Sequence, residues 1–374
     1  SHGDFHSSVP TGFLALCSGN LPVSDDIDPA QTDNDYPSKQ FGVITYTGNG
    51  GVLSVTGLGF KPDLVWGKMR SPHSYNNMLY DSSRGANRVL QSDTSNAEID
   101  LTSSNVGLRT FDSDGFTLGS EASLNDSGDS IVAWCWRANG GTTSSNSSGD
   151  ITSTVQANTK AGFSIVTYTG NGSVAQSIGH GLSSGAPEFI LVKNRSQADA
   201  WAVYHHSLGN AAHLILNTTD AQTTSSAYWG SFTPTTTLFK VGSDHKLNAS
   251  SENYVAYLWH GVEGYSKFGS FEGNSNADGP FIYTGFRPRL VFCKAADASE
   301  NWQVRDTARS TFNADSQVRI YWNSSNAEGS ASTASPIDFL SNGFKVRGSN
   351  SEINTNTIVY GAWGDVPFKY NNTF

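Results

Sequence analysis

The sequence predicts an all-β protein with three tandem homologous domains, each an antiparallel β-sandwich or jelly-roll-like unit, behind an extended N-terminal arm. One phrase occurs three times, as FGVITYTGN in Phe41–Asn49, FSIVTYTGN in Phe163–Asn171 and FGSFEGN in Phe268–Asn274. The copies are spaced by roughly 100–120 residues, which is the size of one domain and too long for a solenoid repeat. This internal repetition predicts a string of three domains rather than one large core.

The segments within each copy read as β-strands. They are short, rich in Val, Ile, Tyr, Phe and Thr, and separated by clusters of Gly, Asn, Asp and Ser, which is typical of strands and turns. Turn signals recur about every 8–12 residues, as in antiparallel sandwiches and jelly rolls. No stretch of about ten or more residues shows a helical period.

The repeats set the predicted domain boundaries. We assign residues 1–40 to the arm, 41–141 to repeat 1, 142–162 to a Ser/Thr/Gly-rich linker with a lead-in strand, 163–264 to repeat 2 and 265–374 to repeat 3. The linker predicts a loosely hinged repeat 1. Repeats 2 and 3 are joined without spare residues and are expected to dock rigidly.

Each repeat closes on the same kind of strand: SIVAWCW, NYVAYLW and TIVYGAW. In the first of these, Val132, Trp134 and Trp136 alternate with Ile131, Ala133 and Cys135, so the two sets point to opposite faces of a strand. Both sets are apolar. The strand is therefore predicted to be covered on both faces, at the centre of a two-layer packing.

Composition excludes several functions. Only 15% of the residues are charged and the net charge is −10, which argues against nucleic acid because phosphate binding needs a basic face. No apolar run reaches the roughly 18 residues that span a bilayer. The three cysteines, Cys17, Cys135 and Cys293, lack disulfide or metal spacing, and we interpret those within strands as buried free thiols. No signal-peptide pattern opens the chain, and we expect its natural N-terminus to lie upstream.

Several phrases carry a resemblance that covers nearly the whole chain after Phe41. They include YTGNGG, SIVTYTGNGS, FDSDGFTLGS, VAWCWRANGG and ADGPFIYTGFRP. Together they resemble an uncharacterised, triplicated β-domain of tail-fibre and tail-associated virion proteins of tailed phages, especially marine ones. The resemblance implies a virion protein that contacts the host, and it brings no known catalytic residue or ligand.

Carboxylates are the candidates for chemistry. Glu98 and Glu328 lie in two Asn-Ala-Glu turns, where repeat 2 has Gln222, and Asp112 and Asp114 lie in FDSDGF. Turn formation explains both groups, because Asp and Asn cap their own backbone. We therefore expect no enzyme and no required cofactor, with Asp112 and Asp114 kept as calcium candidates although a full oxygen cage needs more ligands.

Histidines and aromatic residues complete the candidates. His205 stands where the other repeats have Asp81 and Asp306, which favours a polar structural role. Aromatic residues in loops or at strand starts are candidate contacts for a receptor or glycan, with packing at a subunit interface and ordinary anchoring of loops as the open alternatives. They are Tyr75, Trp201, Tyr228, Trp229 and Trp302.

The expected function is that of a non-enzymatic phage tail-fibre adhesin, which presents sandwich loops to a host surface glycan or protein. Low affinity per site would be multiplied by copy number. The open alternatives are a purely architectural virion component, such as a decoration or tail assembly protein, and a secreted carbohydrate-binding module. Expected partners are a host receptor, other virion subunits and further copies of the chain as a homo-oligomer, with a trimer by analogy to fibres; the alternative is that the three domains of one chain form a pseudo-trimer by themselves. The expected location is the virion or the extracellular space.

Overall fold

The computed structural model describes residues 36–311, 313, 318–330 and 336–365, and its regular structure is almost entirely β. The α-helices in these residues are four-residue turns, Ala122–Asn125, Ser226–Trp229, His245–Asn248 and Ser351–Asn354 (α1–α4). Short 3-10 turns cover Pro37–Lys39 and His206–Leu208. The predicted all-β class is confirmed. The proposed arm, apart from residues 36–40, and Cys17 lie outside the described residues.

Each repeat contains one large antiparallel sheet with the same strand order. In repeat 1 the order is β1-β9-β3-β4-β5-β6, and the other repeats give β12-β19-β14-β15-β16-β17 and β20-β28-β22-β23-β24-β25. Their bounds are as follows, for repeat 1: β1 Phe41–Thr47, β3 Leu64–Ser71, β4 Met78–Asp81, β5 Arg88–Gln91, β6 Ile99–Asp100 and β9 Ser130–Trp136. For repeat 2 they are β12 Phe163–Thr169, β14 Phe189–Asn194, β15 Ala202–His205, β16 Ala212–Ile215, β17 Thr223–Thr224 and β19 Asn253–Trp259. For repeat 3 they are β20 Ser266–Glu272, β22 Leu290–Ala295, β23 Gln303–Asp306, β24 Val318–Tyr321, β25 Gly329–Ser330 and β28 Thr357–Trp363.

A small sheet packs on the outer face of each large one. The three small sheets have the orders β2-β8-β7, β13-β18 and β21-β27-β26. Their strands are β2 Leu53–Thr56, β7 Leu108–Asp112, β8 Gly115–Leu118, β13 Gln176–Gly179, β18 Leu238–Val241, β21 Phe281–Tyr283, β26 Ile337–Leu340 and β27 Gly343–Val346. Each repeat is therefore a two-layer, sandwich-like unit with its own outer core.

The closing strand lies between two partners in its large sheet, and both of its faces are buried as predicted. In β9, Val132, Trp134 and Trp136 belong to one apolar cluster. Ile131, Ala133 and Cys135 belong to the outer core of repeat 1. Cys135 and Cys293 are buried free thiols, which confirms the interpretation of these two cysteines.

The three large sheets share one central core, because the cluster on their inner faces draws residues from all three repeats. At its centre the indole rings of Trp136, Trp259 and Trp363 meet edge to face. Their centroids lie 5.8 Å apart for Trp136–Trp259, 5.4 Å for Trp136–Trp363 and 6.0 Å for Trp259–Trp363. The repeats thus enclose one joint core around a pseudo-threefold axis. The prediction of a string of three domains rather than one large core is corrected in this respect.

The connection between repeats 1 and 2 also differs from the predicted flexible linker. Ser144–Asn146 forms β10, which pairs with Ser153–Asn158 (β11). Strand β11 then pairs with β12 and extends the large sheet of repeat 2 to eight strands, so the predicted lead-in strand is confirmed. Trp136 contacts a tryptophan of each of the other two repeats, so repeat 1 is docked and the predicted loose hinge is wrong.

In the part of the chain that the structure describes, we found no helix with the length and apolar character required to cross a bilayer.

Candidate functional site

The Asn-Ala-Glu turns lie where one repeat contacts the next, and we call these contacts the first seam (repeat 1 on 2), the second seam (2 on 3) and the third seam (3 on 1). In each seam a backbone N–H of the turn donates to a carbonyl of the following repeat. The three bonds are Glu98 N to Arg195 O at 3.0 Å, Gln222 N to Ala296 O at 2.6 Å and Glu328 N to Arg70 O at 2.6 Å. The turns therefore have a role in assembling the repeats.

The side chain of Glu98 completes the first seam. It accepts hydrogen bonds from Arg84 of its own repeat at 2.9 Å and from Arg195 of repeat 2 at 2.9 Å. Burial opposes its ionisation, but the hydrogen bonds and charges of Arg195 and Arg84 outweigh that cost and lower the pKa of Glu98 to about 2. A carboxylate held ionised by two guanidinium groups is a poor general acid.

Glu328 has the same arrangement in the third seam. It accepts from Arg309 at 2.8 Å and from Arg70 at 2.8 Å. The second seam lacks this network: Gln222 replaces the glutamate and Ala296 the receiving arginine. These turns thus occupy structural positions, which supports the turn interpretation made from the sequence.

A second set of polar contacts links the inner faces of the sheets. Asp81 accepts a hydrogen bond from Tyr257 Oη at 2.6 Å across the first seam. Asp306 accepts from Trp134 Nε1 at 3.0 Å across the third seam. Both carboxylates are fully buried and paired with an arginine of their own repeat, and the donor from the neighbouring repeat adds a further hydrogen bond.

In the second seam His205 stands at this carboxylate position. The residue of repeat 3 equivalent to the donors Trp134 and Tyr257 is Gly361, which has no side chain to donate. His205 Nε2 instead lies 3.1 Å from the carbonyl oxygen of Tyr360. Burial lowers the pKa of His205 to about 3, so the ring is neutral. The predicted polar structural role thus agrees with its position, and the aspartate has been replaced together with its donor.

Two candidate aromatic residues, Trp201 and Trp302, lie inside these seams. Both are fully buried. The indole N–H of Trp201 donates to Gln91 O of repeat 1 at 2.8 Å, and that of Trp302 donates to Ile215 O of repeat 2 at 3.1 Å. Neither ring is accessible to a receptor, which corrects their interpretation as contacts and assigns them to packing between repeats.

Tyr228 and Trp229 are also buried, on the short helix α2. The ring of Tyr228 stacks on His213 with 3.4 Å between centroids, and Trp229 packs edge-on against Tyr204. The loop composition suggested exposure, but the Ser225 cap turns these side chains inward by starting a helical turn. These two candidates anchor a loop and present no surface.

The calcium candidates Asp112 and Asp114 belong to the hairpin between β7 and β8. Asp112 accepts from Thr117 Oγ1 at 2.7 Å, and Asp114 accepts from the backbone N–H of Gly57 at 3.1 Å and also from Gly59. The two carboxylates are thus occupied by the hairpin and by the turn after β2. Their contacts are those expected of turn residues.

Tyr75 is the one candidate aromatic residue that is partly exposed, and its loop contains polar groups. Its hydroxyl donates to Asp126 Oδ2 at 3.0 Å. In the same loop His73 Nδ1 lies 2.6 Å from Asp129 Oδ2, and this hydrogen bond raises the pKa of His73. Asp126 and Asp129 belong to the turn between α1 and β9, so the loop and the turn are held together.

The exposed aromatic residues of the described chain lie elsewhere, on the edge strand β21 of repeat 3. Phe281 is 45% exposed and Tyr283 is 58% exposed, whereas Ile282 between them is buried. Tyr283 borders a groove of about 320 Å³ at the second seam. The residues lining the groove are Glu188, Gly261, Glu263, Ser266, Lys267, Phe268, Tyr283, Thr284 and Gly285.

The groove combines the exposed ring of Tyr283 and the buried ring of Phe268 with charged groups of both signs. Lys267 Nζ donates to Tyr283 O at 2.8 Å and lies 5.1 Å from the ring centroid, which holds one face of the ring in place. Glu188 also lines the groove and accepts a hydrogen bond from Gly261 N at 3.2 Å. Such a volume is at the lower end of the range of about 300–1,000 Å³ for small-molecule sites.

Sequence reasoning missed Phe281 and Tyr283, although a comparison of the repeats contains the signal. The buried residues Val55, Ile178 and Ile282 pair with Phe116, Phe239 and Phe344, which aligns the three edge strands. The positions flanking them hold Ser54 and Thr56 in repeat 1, Ser177 and Gly179 in repeat 2, and Phe281 and Tyr283 in repeat 3. Among these aligned positions, aromatic residues occur in repeat 3; the positions are exposed in repeats 1 and 3, whereas Ser177 and Gly179 of repeat 2 are buried.

The chain belongs to a family described as a domain of unknown function (DUF7483), whose family model matches residues 36–367. This one match extends over all three repeats, in agreement with their joint core. A comparison with curated proteins found no match.

Proposed function

We propose that the protein is a non-enzymatic phage virion component, a tail-fibre or host-contact protein, that binds a neutral glycan in the groove beside Tyr283. The observation that carries the glycan proposal is the exposed aromatic pair on β21, which stands where the other repeats have Ser, Thr or Gly. Assignment to a virion rests on the resemblance of the repeated phrases to tail-associated phage proteins.

A sugar ring matches the chemistry of this groove. Its C–H face packs on an aromatic side chain, and Tyr283 offers a ring with a polar tip. Its hydroxyl groups pair with carboxylates and an ammonium group, and the groove contains Glu188, Glu263 and Lys267. The site thus provides both an apolar platform and hydrogen-bonding partners that fix orientation.

Charge favours a neutral sugar over an acidic one. The chain has a net charge of −10, and the groove carries two glutamates against one lysine. An anionic polysaccharide would be repelled by this field. Glu98 and Glu328, the carboxylates considered for hydrolysis, are bound by arginines, which supports a binding role without catalysis.

The proposal is tested with the full chain on an array of neutral, amino and acidic oligosaccharides, followed by calorimetry on the best ligand. We expect neutral sugars to bind and Tyr283→Ala to weaken binding at least about tenfold, an effect of about 1.4 kcal/mol. Thr56→Ala, at the equivalent exposed position of repeat 1, is the matched control and should bind like the wild type. Equal binding by the Tyr283→Ala variant, or preference for acidic sugars, would contradict the proposal.

An architectural role is the second candidate, and the position of β21 favours it. This strand is the edge of its small sheet, and exposed apolar edge strands are surfaces on which chains associate. Light scattering after size exclusion separates the two functions. If Phe281→Ser converts an oligomer to a monomer while no sugar binds, the aromatic pair serves assembly and the glycan proposal fails.

A further inference from the structure

Three potential metal ligands converge on the surface of repeat 1, away from the groove. They are His73, in the loop between β3 and β4, and Asp126 and Asp129, in the turn between α1 and β9. Their ligand atoms all lie within 4.8 Å of one another. Within the described residues, no second group of three or more His, Cys, Asp or Glu side chains converges in this way.

Distances in the group fit a small cation. His73 Nδ1 lies 2.6 Å from Asp129 Oδ2 and 3.8 Å from Asp126 Oδ2. Zn²⁺ binds imidazole nitrogen and carboxylate oxygen at about 2.0–2.2 Å in tetrahedral geometry, which places neighbouring ligand atoms about 3.3–3.5 Å apart. His73 and Asp129 are hydrogen-bonded at 2.6 Å, so these two ligand atoms must separate by about 0.7–0.9 Å to bind one Zn²⁺, whereas the 3.8 Å to Asp126 is slightly longer than that spacing. Since the His73 side chain is 56% exposed, rotation can adjust its position.

The two carboxylates are held by the protein. The side chain of Asp129 is only 7% exposed. Asp126 accepts hydrogen bonds from Tyr75 Oη at 3.0 Å and from Ser127 N at 3.0 Å. The partners of Asp126 orient its carboxylate, as outer contacts orient the ligands of metal sites, whereas burial restricts the carboxylate of Asp129.

The fold itself does not need this set, because the other repeats lack it. In repeat 2, Ala249 and Glu252 stand at the positions of Asp126 and Asp129. In repeat 3 the turn is shorter and holds Thr355 and Asn356. Both repeats form the same large sheet without three convergent ligands, so the full set is not required for the unit to fold.

We propose that His73, Asp126 and Asp129 bind a divalent transition-metal ion of the Zn²⁺ class, with water completing the coordination. The imidazole nitrogen selects against Ca²⁺ and Mg²⁺, which prefer oxygen ligands in larger numbers. The ion joins the β3–β4 loop to the α1–β9 turn. This loop also contacts the third seam, where Ser74 Oγ accepts from Ala327 N at 3.2 Å, so bound metal braces repeat 1 where it meets repeat 3.

The test is calorimetric titration of the chelator-treated full chain with Zn²⁺, compared with His73→Ala and Asp129→Asn variants. A matched control exists in repeat 2, where His245 Nδ1 lies 2.7 Å from Asp199 Oδ1 in a histidine–carboxylate pair outside any such group of three. We expect both repeat 1 variants to lose at least about tenfold in affinity, whereas His245→Ala binds like the wild type. All variants keep His2 and His6, so binding at the N-terminus contributes equally to each.

Two further readouts keep the outcome decisive. Co²⁺ should give the visible absorption of a low-coordinate nitrogen–oxygen site in the wild type, and His73→Ala should abolish it. The apparent Tm should rise with Zn²⁺ concentration in the wild type and in His245→Ala, but not in His73→Ala or Asp129→Asn. Unchanged Zn²⁺ affinity in His73→Ala, an equal loss in His245→Ala, or equally tight Ca²⁺ binding would each overturn the proposal.

Discussion

The first and second seams join the same parts of neighbouring repeats with different chemistry. In the first seam an ionic network connects four side chains, Asp81, Arg84, Glu98 and Arg195. In the second seam the equivalent four residues are His205, Leu208, Gln222 and Ala296. Both seams keep the backbone hydrogen bond of the turn and the contact between central tryptophans.

The difference shows which features the assembly requires. Buried ion pairs contribute little net stability, because desolvation offsets much of their attraction, and replacing a whole network by apolar groups is often neutral. Removing one member is costly, since it leaves a buried charge without its partner. The seams are consistent with this rule: the network is present as a unit in the first and third seams and replaced as a unit in the second.

The largest effect is expected from the feature that both seams share. Trp136→Ala should lower the free energy of unfolding by about 4–5 kcal/mol, the upper part of the range for aromatic truncation in a core, because its ring contacts both other central tryptophans. Urea unfolding followed by fluorescence and circular dichroism measures this. If the three repeats form one cooperative unit, both signals change together. Unfolding of repeat 1 alone would contradict a joint core.

Removing the charged side chain of Glu98 from the first seam should lower the free energy of unfolding more than removing the equivalent neutral side chain of Gln222 from the second. Glu98→Ala leaves Arg84, which is fully buried, with one carboxylate fewer, and we expect a loss of about 3 kcal/mol. Gln222→Ala removes a neutral side chain and should cost less than about 1 kcal/mol. Urea unfolding of both variants at neutral pH gives the comparison. Equal losses would show that charge does not distinguish the seams.

Lowering the pH should remove the contribution of Glu98 to the free energy of unfolding. Its pKa is about 2 in the folded protein against about 4.3 in an unfolded chain, so the folded state favours the ionised form. This stabilisation is present above about pH 5 and is lost as the pH falls towards 2, a change of about 3 kcal/mol. The stability difference between the wild type and Glu98→Gln should therefore narrow over that interval. A constant difference from pH 6 to pH 3 would contradict the assignment.

Placing a glutamate in the second seam should change the free energy of unfolding the least. Gln222→Glu places a carboxylate in the second seam where Leu208 and Ala296 replace the arginines. Because the Gln222 side chain is only partly buried, solvent screens the new charge, and we expect the free energy of unfolding to fall by about 0.5–1 kcal/mol at neutral pH. A gain in stability would mean that another cation serves this position.

The sequence predicted the strands well because their signal is local. Period-two alternation in β9 identified both buried faces, and the triplicated phrases located three equivalent sheets. It did not identify what covers the inner faces, since the apolar character of Trp136 indicates burial and not the identity of its neighbour. A joint core and three separate cores have the same alternation.

The candidate site was harder to predict for a related reason. Trp201 and Trp302 begin strands after polar loops, a pattern that fits exposure as well as packing between repeats. Tyr283 lies in a strand, and the sequence alone does not show which of the two strand faces is exposed to solvent. That position is defined by pairing with β27. Comparison of the repeats supplies this information only after the register of each small sheet has been established.

The covalent joining of three repeats around one tryptophan cluster has a consequence for valency. In an assembly of three identical subunits, a substitution appears at every seam, whereas here each seam is encoded separately and has diverged. Among the three aligned edge strands, the aromatic pair is found in β21 of repeat 3, whereas the strand order of the large sheet recurs in every repeat. Multivalent attachment through this pair would then depend on how many chains are displayed together, and not on the number of repeats in each.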